Sequence, residues 1–159
     1  MIKIKTGIGF DVHQFVKDRD LYLGGVKIPY EFGLKGHSDA DVLIHAIIDA
    51  IVSPTLATDI GKLFPDTSEE FKNIDSKILL KKAVQMVVEK GFDINNIDSV
   101  IIAQEPKISP YIYKMREVLS DIIGIPIENI TIKGTTTEYL GFTGRKEGIA
   151  AVAVATMIK

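Results

Sequence analysis

The sequence predicts an α/β domain of the α+β type, in which helices pack on one face of a mixed sheet. Three observations predict it. Stretches with strand alternation and stretches with helical apolar spacing follow one another along 159 residues, close to the common domain size of roughly 100–150. Turn residues are spread throughout with no repeat, low-complexity tract or linker, so residues 1–159 are expected to form one domain. The last apolar segment, Ile149–Ile158, sets Val152 and Val154 on one face and Ala151, Ala153 and Ala155 on the other. Small residues on one face let another layer approach closely.

The elements follow in order. Lys3 to His13 reads as extended chain. Leu21 to Leu23, a Gly24-Gly25 turn and Val26 to Pro29 read as a hairpin. Ser38 and Asp39 stand where an N-cap belongs, ahead of a helix from Val42 to Val52 that Pro54 should end. A loop from Asp59 to Thr67 comes next. Ser76 is expected to cap a second helix with the stripe Leu79, Leu80, Ala83, Val84, Val87 and Val88, closed by Gly91. Asp98 to Ala103 reads as a buried strand. Ser109-Pro110 should open a third helix, with Ile112, Met115, Val118, Leu119 and Ile122 at helical spacing and Gly124-Ile125-Pro126 stopping it. Ile127 to Lys133 and Ile149 to Ile158 alternate like strands.

Composition excludes several functions. Cysteine is absent, which rules out disulfide scaffolds, thiol catalysis and iron–sulfur clusters. A net charge of −2 offers no basic surplus for nucleic acid. The longest apolar run is far short of the roughly 20 residues a membrane helix needs, and no targeting pattern is evident, so a cytoplasmic protein is expected. Mean hydropathy is nevertheless +0.18, a bias that suggests surface covered by a partner chain.

Polar chemistry concentrates in three places. Asp11 and His13 flank Val12 on a strand, so both side chains point to the same face. In the helix that follows, Asp41, His45 and Asp49 fall at i, i+4 and i+8, and Asp49 could accept the second N–H of His45. Asp11, His13 and His45 would give a divalent metal such as zinc three ligands and leave a fourth position open, as catalytic sites do. Thr135, Thr136, Thr137 and Glu138 suit a phosphorylated ligand carrying Mg²⁺ or Mn²⁺, because hydroxyls donate to phosphate and a carboxylate is a hard ligand. Arg145, in the turn after Phe142, could bind phosphate through both arms of its guanidinium, although an ordinary surface turn explains it equally well.

Four segments in register resemble the 2-C-methyl-D-erythritol 2,4-cyclodiphosphate synthase family. They are Gly9 to His13, His37 to Val42 with His45, Asp59 to Thr67, and Thr135 to Gly148; the likeness runs from about Lys3 to Lys159. It implies a homotrimer with sites between subunits that releases CMP from 4-diphosphocytidyl-2-C-methyl-D-erythritol 2-phosphate. It also implies zinc on Asp11, His13 and His45, and a second ion, Mg²⁺ or Mn²⁺, on Glu138. His37 and Thr136 would steady the transition state, with Ser38, Thr135 and Thr137 as further substrate contacts beside Asp11 and His13. Asp59, Ile60, Gly61, Phe64, Pro65, Asp66, Thr67 and Ser68 would hold the methylerythritol unit. Ala103, Gln104, Glu105, Pro106, Lys107, Ile108 and Ser109 would form the cytidine pocket, and Phe142 and Arg145 would add contacts. Two departures stand out: the family has Ala before the threonine run and Lys after the glutamate, where this chain has Gly134 and Tyr139. Two histidines and a carboxylate also form the triad of some hydrolases and oxygenases, and a trimeric binding protein that lost its chemistry would share the fold.

Overall fold

The computed structural model describes residues Met1–Lys159. Its main sheet has five strands: β1 (Ile4–Val16), β4 (Gly33–Leu34), β5 (Asp93–Ile102), β6 (Ile130–Thr135) and β7 (Gly148–Ile158). Their spatial order is β4-β1-β7-β5-β6, with β5 and β6 parallel and the other pairs antiparallel. The sheet is therefore mixed, as expected. A separate hairpin pairs β2 (Leu21–Leu23) with β3 (Val26–Ile28).

Helix α1 (Val42–Leu56) lies directly on β1, and glycine makes this possible. A Cβ on Gly9 would fall 1.8 Å from the Ala46 carbonyl oxygen, and one on Gly7 would fall 2.0 Å from that of Ala50. Only a strand without side chains at these positions admits the helix backbone, and the contact sets His45 beside Asp11. The alanine stripe of β7 has the same effect, since Ala151, Ala153 and Ala155 are buried under the helical layer. Helix α3 (Ser76–Glu89) covers α1, and α4 (Ile112–Ile123) packs against β6 and α3. The interior is one continuous cluster of 36 buried apolar residues.

Helix boundaries differ from the sequence reading in four places. Asp41, not Ser38 or Asp39, caps α1 by accepting the Ile44 N–H at 3.1 Å. Ser38 and Asp39 instead stabilise the turn before it, accepting the N–H groups of Ala40 and Asp41. Pro54 does not end α1. It sits in the last turn, where its missing N–H forfeits one bond and the helix continues to Leu56. Asp75 caps α3 through the Lys77 N–H, and Ser76 becomes its first, buried residue. A 3₁₀ turn over Ser109–Tyr111 precedes α4, which Gly124 ends in a left-handed conformation.

The face of the sheet away from the helices is bare. Ile8 is 67% exposed and Phe10 58%, with Ile4, Val12 and Val154 also exposed, a cluster of apolar side chains of the kind that marks an interaction surface.

Candidate active site

Strand β1 and helix α1 bring the first constellation together. The nearest atoms of Asp11, His13 and His45 form an almost regular triangle. His13 Nε2 is 2.9 Å from Asp11 Oδ2, His45 Nδ1 is 3.0 Å from the same oxygen, and the two nitrogens are 3.1 Å apart. A tetrahedral ion with bonds near 2.0 Å has ligands about 3.3 Å apart, so this triangle fits such an ion with slight expansion.

Hydrogen bonds orient all three ligands. His13 Nδ1 lies 2.7 Å from the Lys35 carbonyl. A carbonyl only accepts, so Nδ1 carries the proton and Nε2 presents its lone pair to the metal position. His45 Nε2 faces the hydroxyls of Ser76 at 3.0 Å and Ser38 at 3.1 Å. The Ser76 hydroxyl donates to Asp39 Oδ1 at 2.5 Å, which leaves its oxygen to accept from His45 Nε2–H and frees Nδ1 for the metal. Asp49 does not play this part. Its Oδ1 accepts the Ile60 N–H at 2.7 Å and so anchors the following loop.

Electrostatics support the same assignment. Burial alone would raise the carboxyl pKa of Asp11, but hydrogen bonds from His13 and His45 and their charge bring it down to about 2. For His13, burial lowers the pKa, and the hydrogen bond and charge of Asp11 outweigh it to give a net rise. The bond and charge from Asp11 that raise the His13 pKa favour a proton on Nε2, and a metal at this position would compete with it.

The triad opens into a cleft of about 330 Å³ lined by His37, Ser38, Ile60, Gly61, Phe64 and Asp66, among others. His37 Nε2 lies 2.8 Å from the Ser68 carbonyl, so that nitrogen is protonated and the ring tethers the loop holding Pro65, Thr67 and Ser68. Asp59 caps the short helix α2 (Ile60–Leu63) through the Lys62 N–H.

A second cleft, about 400 Å³, is lined by Ala103, Gln104, Pro106, Lys107, Ile108, Ser109, Gly134, Thr135 and Thr136, and it shares no residue with the first. Gly134 has a local reason: a Cβ there would come 3.2 Å from Cβ of Ile108, so alanine would push that wall of the cleft outward. Thr136 Oγ1 donates to Glu138 Oε1 at 3.3 Å, and the Tyr139 N–H donates to Gln104 Oε1 at 3.1 Å. Thr137 bonds instead to Thr143, inside the short helix α5 (Gly141–Gly144) that also carries Phe142. Glu105 pairs with Lys146 at 2.8 Å, which lowers its carboxyl pKa. One edge of the Arg145 guanidinium is engaged by Glu147, with Nη2 at 3.1 Å and Nε at 3.3 Å, which leaves Nη1 without a protein partner.

The sequence reading missed the roles of Ser76 and Asp39 behind His45, and of the Lys35 carbonyl behind His13. Asp39 and Ser76 look like ordinary helix-start residues, and a backbone carbonyl leaves no mark on residue type.

A mixed sheet carrying three side chains able to hold a metal ion, with a hydroxyl- and carboxylate-bearing cleft elsewhere on the same chain, places the chain among α/β proteins with a candidate metal-binding active site. Residues 4–158 match the YgbB family. The chain is 56% identical over 152 residues to a 2-C-methyl-D-erythritol 2,4-cyclodiphosphate synthase of Bacteroides fragilis, covering 96% of each chain. It is 54% identical over 154 residues to that of Carboxydothermus hydrogenoformans, covering 97% of this chain and 94% of the relative. The chain belongs to this family of cyclodiphosphate synthases. Among solved structures, the bifunctional IspDF of Campylobacter jejuni superposes with a TM-score of 0.95 at 44% identity. It covers 99% of this chain, which spans 42% of that longer protein. The CDP complex of IspF from Plasmodium falciparum gives 0.85 at 35% identity, covering 98% of this chain and 96% of that one.

Proposed function

We propose that residues 1–159 form one cyclodiphosphate synthase domain acting in isoprenoid precursor synthesis in the cytoplasm. It converts 4-diphosphocytidyl-2-C-methyl-D-erythritol 2-phosphate to 2-C-methyl-D-erythritol 2,4-cyclodiphosphate and CMP. The observation that carries this is the Asp11–His13–His45 triangle, whose two histidines line a cleft, in a chain of this family. An oxygen of the 2-phosphate attacks the β-phosphorus of the same molecule, and the bond from that phosphorus to the CMP phosphate breaks. Nucleophile and electrophile are already tethered, so the chain's task is orientation, worth ~7–11 kcal/mol in favourable intramolecular cases.

Each group of residues has a part in this. Ile60, Gly61, Phe64 and Asp66, which line the first cleft, hold the methylerythritol unit folded, with Asp59 and Pro65 to Ser68 supporting them. The second cleft receives the cytidine; that the Plasmodium relative was solved as a CDP complex supports a cytidine nucleotide as ligand. His37 and Thr136 donate to phosphoryl oxygens as charge builds there, exchanging for substrate the bonds that their protons make to the Ser68 carbonyl and Glu138 in the free chain. Zinc on the triad and Mg²⁺ or Mn²⁺ at Glu138, when bound, withdraw that charge as Lewis acids. Glu138 is a lone exposed carboxylate, which suits an ion taking its remaining ligands from substrate and water. No protein nucleophile is required.

The two clefts have to meet for this reaction, and within one chain they do not. Asp11, Ala151, Ile101 and Gly134 form one row across the sheet. Three strand spacings therefore separate the triad from the threonine segment, about 14 Å of backbone. A homotrimer in which one protomer's threonine edge abuts its neighbour's triad completes the site. The bare apolar face supplies the contact. Ile8→Asp should turn the trimer into monomers by light scattering and abolish CMP release with it; a trimeric variant would refute this interface. The net charge is −2 and no helix is long and apolar enough to cross a membrane; neither a nucleic-acid nor a membrane partner is assigned to the chain.

The direct experiment incubates the protein with the diphosphocytidyl substrate and divalent metal, and follows the cyclic product and CMP. Both should appear in equal amounts and vanish after chelation. CMP without the cyclic product would indicate a hydrolase, and neither product would indicate a binding protein.

A further inference from the structure

Arg19 lies in the turn between β1 and β2, outside every motif the sequence singles out. Its guanidinium forks onto two backbone carbonyls: Nη1 donates to Gly36 O at 2.8 Å and Nη2 to Ser38 O at 2.5 Å. These two residues bracket His37.

The segment Lys35–Ser38 is irregular, with no sheet or helix ladder to fix it. Yet it carries three groups that the site depends on. The Lys35 carbonyl sets the tautomer of His13, the Ser38 hydroxyl contacts His45 Nε2, and the His37 ring lines the cleft. Arg19 holds the same four residues from behind. Its fork is planar and permanently charged, so it fixes the spacing of two carbonyls that a lysine ammonium cannot hold in one geometry. The remaining backbone ties of the segment are Lys35 N–H to Gln14 O and Asn73 N–H to His37 O, one near each end.

We propose that Arg19 is a positioning residue, which sets the geometry of both metal-binding histidines and of His37 by clamping the 35–38 backbone. This rests on the metal reading of the triad given above. It implies that losing Arg19 alters the metal's coordination and the rate of turnover more than the binding of substrate, most of whose contacts lie on other segments.

The test compares wild type with Arg19→Ala and Arg19→Lys, using Co²⁺ alone as a spectroscopic probe and CMP release as the kinetic one. Outer-shell partners of metal ligands commonly govern 10–100-fold in affinity or activity, so both variants should bind Co²⁺ about 10-fold more weakly. Their visible Co²⁺ absorption should shift, and kcat should fall by a similar factor while KM stays nearly constant. Methylguanidinium added to Arg19→Ala should restore part of the spectrum and of kcat, which a general loss of stability would not allow. Variants with wild-type Co²⁺ affinity, spectrum and kcat but a lower Tm would overturn the proposal and make Arg19 a plain strut. Failure of the wild-type protein to bind Co²⁺ would overturn the metal reading and this inference with it.

Discussion

Asp11→Asn should reduce CMP release by at least ~10²–10³-fold, the range seen when a single charge-stabilising group is taken from an active site. The same variant should lose its tightly held metal. Asparagine keeps the shape of the side chain, so the fold is preserved, but it removes the one negative charge among the three ligands. The hydrogen bonds and charge of His13 and His45 hold the Asp11 carboxyl at about 2 against the opposing effect of burial. It is therefore ionised at every pH where the enzyme would work, and no proton has to leave it before a metal binds. His13 behaves in the opposite way: the charge of Asp11 raises its pKa despite burial, so a proton competes with the metal for Nε2. In Asp11→Asn that proton is held less tightly, and the residual metal binding should release fewer protons in a calorimetric titration across buffers. Full metal content together with an unimpaired rate in the variant would remove Asp11 from the ligand set.

Much of the triad was legible because its geometry is local. Strand alternation alone puts Asp11 and His13 on one face, and the structure places their ligand atoms 2.9 Å apart. His45 stands out as a polar group in an otherwise apolar helix. The partners behind these ligands were not legible, because they arrive from far along the chain. Ser76 reaches His45 from 31 residues away, and the Lys35 carbonyl reaches His13 from 22. Asp49 shows the same limit in reverse. Helical spacing offers it to His45, but the turn into α2 brings the Ile60 N–H within 2.7 Å, and a backbone donor at the start of a helix is the stronger claim on a carboxylate. Strand order was beyond reach for the same reason, since β7 pairs with β1 across the whole length of the chain. The bare face of the sheet was legible only as a positive mean hydropathy, which says that apolar surface is in excess without saying where it lies.

The largest effect on stability is expected from Asp41→Ala. Asp41 is fully buried, and its two oxygens accept three backbone N–H groups: Gly24 at 2.9 Å, Gly25 at 2.7 Å and Ile44 at 3.1 Å. It thus caps α1 and pins the β2–β3 turn to it. Losing the cap costs about 1 kcal/mol, and each buried N–H left unpaired costs about 1–3 kcal/mol. Against this stands the cost of keeping a carboxylate in the interior. Burial, and then the charge of Asp39 beside it, push the Asp41 pKa up to about 6 despite the three donors. The net loss at neutral pH should be about 2–4 kcal/mol, or about 5–15 °C in Tm for a chain of this length. The pKa also fixes how the loss varies with pH. An acid whose folded-state value lies above its unfolded value of 3.8 binds its proton more tightly when folded, so stability from this group is greatest at low pH and declines as pH rises through 6. The gap between wild type and Asp41→Ala should therefore widen from pH 7 to pH 4 in parallel urea titrations. A gap that narrowed instead would mean that the three N–H donors outweigh burial and keep the carboxylate favoured in the folded chain, so the direction of the change decides between the two effects.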